Sequence, residues 1–298
     1  MNTDIEVVVD AAVAPPTAAI KQDGFEALLS SLGTPIHRGD RYAIYHGDCL
    51  EFLTSLPDSS IDLTFTSPPY NIGKEYESVL SLDQYVDWCV EWCAEIARIT
   101  RRHGSFLLNV GYLAVPEKGR SVPIPYLLWN KFPMFLQQEI VWNYGAGVAA
   151  RKALSPRNEK LLWYVRDAEQ YTFNLDEIRD PDVAYPNQKK NGKLRCNTLG
   201  KNPSDVWQIA KVTSGAGRSS PERTSHPAQF PLDLCERVLK GFSNSGDFVV
   251  DPFLGSGSTL DATERFGRFG IGFELRRDYC DLAEKRIRAT QAQLKLAL

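Results

Sequence analysis

The chain has 298 residues, 43% of them hydrophobic and 24% charged, a balance ordinary for a globular protein with room for a sizeable core. No apolar run approaches the roughly 20 residues a bilayer-crossing helix needs, and the opening Met-Asn-Thr-Asp-Ile-Glu lacks the basic start of a secretory signal, so a cytoplasmic protein with no membrane partner is expected. The formal net charge of −3 argues on its face against a nucleic-acid partner, and six scattered cysteines with no Cys-x-x-Cys pair argue against a zinc site, leaving no metal expected.

Residues 1–22 are rich in Ala, Val and Pro, show no sustained periodicity, and are expected to form a mobile arm. From Arg41 the pattern alternates. Tyr42–Tyr45 reads as a strand ending at Gly47-Asp48, Leu50–Leu56 as a short helix, and Ile61–Thr66 as a buried strand running into Ser67-Pro68-Pro69-Tyr70. Leu82–Thr100 has helical spacing, and His103–Val110, Glu139–Tyr144 and Glu159–Arg166 read as strands. The rhythm breaks over 171–224, where Asn, Lys, Pro and Gly predominate, and an irregular inserted module is expected. It returns with a helix over Pro231–Gly241, a strand over Asp247–Pro252, a helix over Ser258–Phe266, a strand over Phe269–Glu274 and a final helix over Arg276–Leu296. Strand–helix alternation predicts an α/β fold, Rossmann-like, with a mostly parallel sheet covered by helices on both faces. Ligands on such sheets bind beyond the carboxyl ends of the strands.

The charge is unevenly spread. Between Tyr185 and Ser225 stand Lys189, Lys190, Lys193, Arg195, Lys201, Lys211, Arg218 and Arg223, opposed only by Asp205 and Glu222, a local net of +6. Such a segment can hold phosphates, and Asn187, Gln188, Asn191, Arg195 and Asn197 carry groups able to read base edges; for any one of them a solvated polar loop is the plain alternative.

Three short motifs sit at strand ends. Asp247–Thr259 runs from a strand through Gly255-Ser256-Gly257 into a helix, and glycines there let a ligand approach backbone and helix N-terminus. A dinucleotide fingerprint is incomplete, because position 260 is Leu where a third glycine belongs. Glu274 follows at the end of the next strand, where an acid accepts from ribose hydroxyls. In Thr66-Ser67-Pro68-Pro69-Tyr70, two prolines fix backbone direction, Ser67 Oγ and the Pro68 carbonyl can accept the two hydrogens of an amino group, and Tyr70 offers a flat face to a planar ring. An isolated Pro-Pro would be no more than a stiff turn.

Ser-Pro-Pro-Tyr together with Asp-Pro-Phe-Leu-Gly-Ser-Gly-Ser-Thr resembles the amino-methyltransferases of DNA, and Gly47-Asp48, Arg157–Tyr164, Asn202–Trp207 and His226–Pro231 are similar to further segments of that family in the same order. The catalytic tetrapeptide precedes the glycine turn, as in the family's permuted beta class, whose intervening module recognises the target. The resemblance implies a catalytic and cofactor-binding domain over 23–170 and 225–298 and a target-recognition region at 171–224. It implies S-adenosylmethionine as cofactor, with Asp251, Phe253, Gly255, Ser256 and Gly257 at its methionine and ribose end, Glu274 on the ribose, Asp48 on the adenine amine, and Pro227 and Phe230 lining its pocket. Ser67, Pro68, Pro69 and Tyr70 would handle the target base, and Lys189, Lys190, Lys193, Arg195, Lys201 and Arg218 would bind double-stranded DNA, placing the enzyme at the nucleoid. A homodimer and a cognate restriction endonuclease acting on the same site are left open.

The expected reaction moves a methyl group to the exocyclic amine of a flipped base. Serine at position 67 goes with cytosine N4 in the family, and adenine N6 is the alternative. A nicotinamide-dependent oxidoreductase would leave Ser67–Tyr70 idle, and a non-catalytic DNA-binding protein would need neither motif. Methylation of RNA or of a protein glutamine by a related pocket is a further alternative, which the long basic insert disfavours.

Overall fold

A computed structural model describes residues 18–74, 79–145, 151–212 and 220–296. In chain order the elements are α1 (Ala18–Leu32), β1 (His37–Arg38), β2 (Tyr42–His46), α2 (Cys49–Ser55), β3 (Ile61–Thr66), α3 (Leu82–Ile99), β4 (Thr100–Val110), β5 (Tyr112–Val115), β6 (Gly119–Pro123), α4 (Ile124–Leu128), β7 (Phe135–Asn143), β8 (Asn158–Val165), β9 (Lys189–Lys190), β10 (Lys193–Leu194), β11 (Val206–Gln208), α5 (Leu232–Phe242), β12 (Phe248–Asp251), α6 (Ser258–Arg265), β13 (Phe269–Glu274) and α7 (Arg277–Leu296). Nine strands form one sheet in the order β1-β2-β13-β12-β3-β4-β8-β7-β11. The run from β2 through β13, β12 and β3 to β4 is parallel throughout, and β8 and β7 add an antiparallel pair beyond it.

The strands are buried on both faces, and alternate residues serve different helices. Ala43 and Tyr45 of β2 pack with Phe25 of α1, Leu53 of α2 and Trp92 and Ile96 of α3. Tyr42 and Ile44, pointing the other way, pack with Leu260 of α6 and Cys280, Ala283 and Ile287 of α7. Leu63 and Phe65 of β3 meet Leu234, Val238 and Phe242 of α5. Every residue of β3 and β12 is buried, and the polar ones on β3, Asp62, Thr64 and Thr66, are enclosed along with the apolar. The helices start where local chemistry allows: Ser81 and Gln84 close a capping box on α3, and the Asp48 carboxylate caps α2 through the Leu50 amide at 2.9 Å.

Strand β7 begins at Phe135 and β4 at Thr100, both earlier than expected, β5, β6 and α4 were not expected, and two larger segments also differ from expectation. The arm expected over 1–22 gives way to helix at Ala18, because Phe25, Leu28, Leu29 and Leu32 bury one side of α1 against the sheet; residues 1–17 lie outside the described residues. The insert expected over 171–224 is not separate along its whole length. Val206–Gln208 joins the main sheet as an edge strand parallel to β7, with Trp207 buried. Asn174 Nδ2 donates to the Lys240 and Ser243 carbonyls at the end of α5, and Ile178 packs on Gly241. What stands apart is the stretch around β9 and β10, a hairpin turned by Asn191 and Gly192 with φ of 52° and 78°, as a primed two-residue turn requires.

Candidate active site

The register of β3 on β12 pairs Leu63 with Val249 and Thr64 with Val250, so both strands reach the same edge of the sheet together. There the Thr66 hydroxyl donates to Asp251 Oδ1 at 2.6 Å, both groups being buried. The chain after β3 is the Ser67–Tyr70 corner, and the chain after β12 is the glycine turn. They face each other across one cleft of about 1180 Å³, lined by Ser67, Pro68, Pro69 and Tyr70 on one side and Asp251, Phe253, Gly255 and Ser256 on the other. The two motifs, 184 residues apart from Ser67 to Asp251, are brought together by the parallel sheet alone.

The corner is held from behind. The Tyr85 hydroxyl, on α3, donates to the Pro69 carbonyl at 2.9 Å. Tyr70 Oη sits in a cluster that draws on the corner itself and on two strands, β4 and β8: Ser67 Oγ lies 3.0 Å away, Asn109 Nδ2 at 2.7 Å, and Glu159 Oε2 at 3.0 Å. Asn109, fully buried near the end of β4, also donates to Glu159 Oε2 at 2.8 Å. Lys211 pairs with the other oxygen of Glu159, and its ammonium stands 3.8 Å from the centre of the Tyr144 ring. Burial first, and then the Glu159 charge, raise the Tyr70 phenol well above its ordinary value, so it stays protonated.

On the opposite wall, Asp251 accepts from Thr66 and from the Phe253 amide at 3.2 Å, yet burial pushes its carboxyl up to about 6. Glu274 bridges two backbones: Oε2 accepts from Gly255 N and Oε1 from Arg276 N, both at 2.8 Å. Burial raises its carboxyl as well, against those two amides. Gly255 and Gly257 lie in the left-handed region with φ of 52° and 77°. A Cβ on Gly255 would stand 2.9 Å from the His226 ring. Burial depresses His226 to about 4, so the imidazole is neutral near pH 7.

Of the residues the resemblance assigns to the cofactor, Asp48, Pro227, Phe230, Asp251, Phe253, Gly255, Ser256 and Glu274 all line the cleft. Phe230 stacks on Phe65 with centroids 4.8 Å apart, and Phe253 packs edge-on against Trp92. Gly257 does not line the cleft; its missing side chain leaves room for Ala283, whose Cβ an added carbon would meet at 2.6 Å. That glycine serves packing of the turn on α7. Asp48 is committed in part to capping α2.

Lys189, Lys190, Lys193, Arg195 and Lys201 are exposed on or near the hairpin. Arg195 donates to Gln188 Oε1 at 3.1 Å and Lys201 pairs with Asp180 at 3.1 Å. Arg218 lies outside the described residues. The reading from sequence missed Asn109, Trp142, Tyr144 and Glu159 as members of the site, and counted Lys211 with the basic segment when it turns into the cleft. Arg157-Asn-Glu159 carried the signal for Glu159, as charged and polar residues entering an otherwise apolar strand; nothing local distinguishes Lys211 from its neighbours.

The DNA methylase family profile matches residues 61–285. The chain is 58% identical over 264 residues to the Type II methyltransferase M.ScaI of Streptomyces caespitosus, covering 89% of this chain and 87% of that one. It is 33% identical over 253 residues to the DNA adenine methyltransferase YhdJ of Escherichia coli strain K12, covering 82% of each. Among solved structures, the cytosine-N4-specific PvuII DNA methyltransferase superposes with a TM-score of 0.65 at 21% identity, covering 85% of this chain and 92% of that one, a likeness of fold. The matched span contains both walls of the cleft, and the chain belongs to the DNA methylase family of N4 and N6 amino-methyltransferases.

Proposed function

We propose that this chain is a site-specific DNA methyltransferase acting on the exocyclic amine of an extruded base, and that the base is cytosine, methylated at N4. The observation that carries the reading is the single cleft shared by the Ser67–Tyr70 corner and the glycine turn, joined at its floor by the Thr66–Asp251 hydrogen bond of 2.6 Å.

S-adenosylmethionine is the cofactor, and the residues present fit it. Glu274 offers carboxylate oxygens suited to a ribose diol, Asp251 a buried acid suited to an ammonium, and Phe230, Phe253 and Pro227 an apolar wall suited to an adenine ring. Gly255 leaves clear the space that a side chain would contest with His226. When bound, the cofactor supplies an activated methyl group. The protein's own part is position and exclusion of water. Ser67 Oγ and the Pro68 carbonyl accept from the target amine, and Tyr70 stacks on the base. Extruding a base costs a few kcal/mol, of which stacking on Tyr70 recovers about 1–3 kcal/mol. The exposed lysines of the β9–β10 hairpin hold phosphates, and the target-recognition region is the stretch around that hairpin.

Ser67 is a neutral acceptor, which supports cytosine N4. A second reading, adenine N6, is favoured by the relative named a DNA adenine methyltransferase at 33% identity. Incubation with plasmid DNA and isotopically labelled cofactor, followed by digestion to nucleosides and mass spectrometry, tests both. Labelled N4-methylcytosine is expected. Labelled N6-methyladenine would move the assignment to the second reading, and no labelled nucleoside would overturn the activity.

A further inference from the structure

The partners of Tyr70 dictate the direction of each proton around it. Asn109 Nδ2 reaches Tyr70 Oη at 2.7 Å, and an amide nitrogen only donates, so the phenol oxygen accepts there. The Asn109 amide cannot be turned the other way, because its oxygen would then face Glu159 Oε2, 2.8 Å from the present nitrogen. Two groups that only accept lie near Tyr70 Oη, Glu159 Oε2 at 3.0 Å and the Asn109 backbone carbonyl at 3.4 Å, and the single phenol proton goes to the nearer, charged one. The remaining contact, Ser67 Oγ to Tyr70 Oη at 3.0 Å, has one direction left: Ser67 donates. The Ser67 proton is thus committed to Tyr70, and the serine oxygen is left to act toward the cleft as an acceptor. At the far end of the chain Glu159 is paired through Oε1 with Lys211.

We propose that Glu159 is a positioning residue for methyl transfer, which acts through Tyr70 to make Ser67 an acceptor for the target amine and which takes up the proton that the amine loses. The proposal rests on the reading that Ser67 receives that amine. Methyl transfer joins carbon to the amine nitrogen through the nitrogen lone pair and breaks the carbon–sulfur bond, whose electron pair stays on sulfur. The positive charge passes to nitrogen. The surplus proton on nitrogen moves to Ser67 Oγ while the Ser67 proton moves to Tyr70 Oη and the Tyr70 proton to Glu159 Oε2. The product amine, Ser67 and Tyr70 end neutral, and Glu159 ends protonated, facing Lys211 and the cleft, from which the proton leaves to solvent. Among the described residues, the titratable groups that face this carboxylate include Lys211, Tyr70, Tyr144 and Tyr112, with Arg157 lining the same cleft, and Lys211 is the cation paired with it.

The test is a double-mutant cycle in full-length protein. Glu159→Gln keeps an oxygen for Tyr70 and removes the charge and the proton acceptor. Its single-turnover methyl transfer is expected to fall about 100-fold, within the range general-base catalysis supplies. Calorimetric affinity for the cofactor and anisotropy-measured affinity for DNA should be unchanged. Because Glu159 works through Ser67, the Ser67→Ala/Glu159→Gln double variant should be no slower than Ser67→Ala alone. Glu159→Gln/Lys211→Met, which removes a donor left facing the new amide, should match Glu159→Gln. Transfer by Glu159→Gln at the wild-type rate, a double variant slower by the product of the two losses, or a rate loss matched by equal loss of cofactor and DNA affinity would each overturn the proposal. If the wild-type protein methylates no amine, the reading of the site fails rather than the relay.

Discussion

Asp251→Asn probes the buried acid that ties the two walls of the cleft. The carboxyl is 2% exposed and accepts from the Thr66 hydroxyl and the Phe253 amide, while burial pushes it up to about 6. An acid whose value is higher folded than unfolded stabilises the fold below its unfolded value, near 4, and loses that contribution as pH rises through about 6. The difference of about two pH units, at 1.36 kcal/mol each, places the cost of the ionised form at about 3 kcal/mol near neutral pH. Asparagine keeps a carbonyl oxygen for both donors and never ionises. The stability of Asp251→Asn relative to wild type should therefore improve by about 2 kcal/mol between about pH 4.5 and pH 8. At about 2.1 cal/mol/K of unfolding entropy per residue, that is about 3 °C in Tm for a chain of this length. Urea and thermal unfolding of the cofactor-free proteins, followed by circular dichroism at both pH values, measures it. A difference between variant and wild type that stays constant with pH would refute the reasoning. The same variant should bind cofactor more weakly, since it no longer offers a carboxylate to a cationic group.

Other outcomes follow from the turn and the hairpin. Gly257→Ala combines a left-handed φ of 77° with a carbon 2.6 Å from the Ala283 Cβ, and should destabilise the protein by about 2–4 kcal/mol in urea unfolding; an unchanged midpoint would contradict the packing role. Replacing Lys189, Lys190 and Lys193 together with Ala should weaken DNA binding across sequences and reduce the slope of log affinity against log salt by about 3. Fluorescence anisotropy over a salt series reads this, and an unaltered slope would take the hairpin out of the DNA path.

Much of the frame was legible because its residues obey one constraint each. Ile61–Thr66 and Phe269–Glu274 have the bounds expected of them, since each carries an apolar residue at every second position between polar or turn-forming segments. Helix α1 was missed: its buried Phe25, Leu28, Leu29 and Leu32 sit just beyond a segment whose Ala-Val-Pro composition suggested an arm. Strand β11 is three residues long amid Asn, Lys and Pro, and its place depends on pairing with β7 more than sixty residues earlier, which no local pattern encodes. The shared cleft follows from the place of both motifs at the carboxyl ends of strands, which the sequence showed, and it is present. The Asn109–Glu159–Lys211 cluster was not, because those side chains arrive from separate strands and a loop and meet only when the sheet edge forms. Gly257 shows the converse, a glycine singled out for its motif whose missing side chain also leaves room for α7.

A crystal structure of this chain with S-adenosylhomocysteine would probe the shared cleft directly. Density for the ligand is predicted between Asp251, Gly255 and Glu274 on one wall and the Ser67–Tyr70 corner on the other. Density at the opposite end of the sheet, or in a site that touches only one of the two motifs, would contradict a methyltransferase built from their meeting.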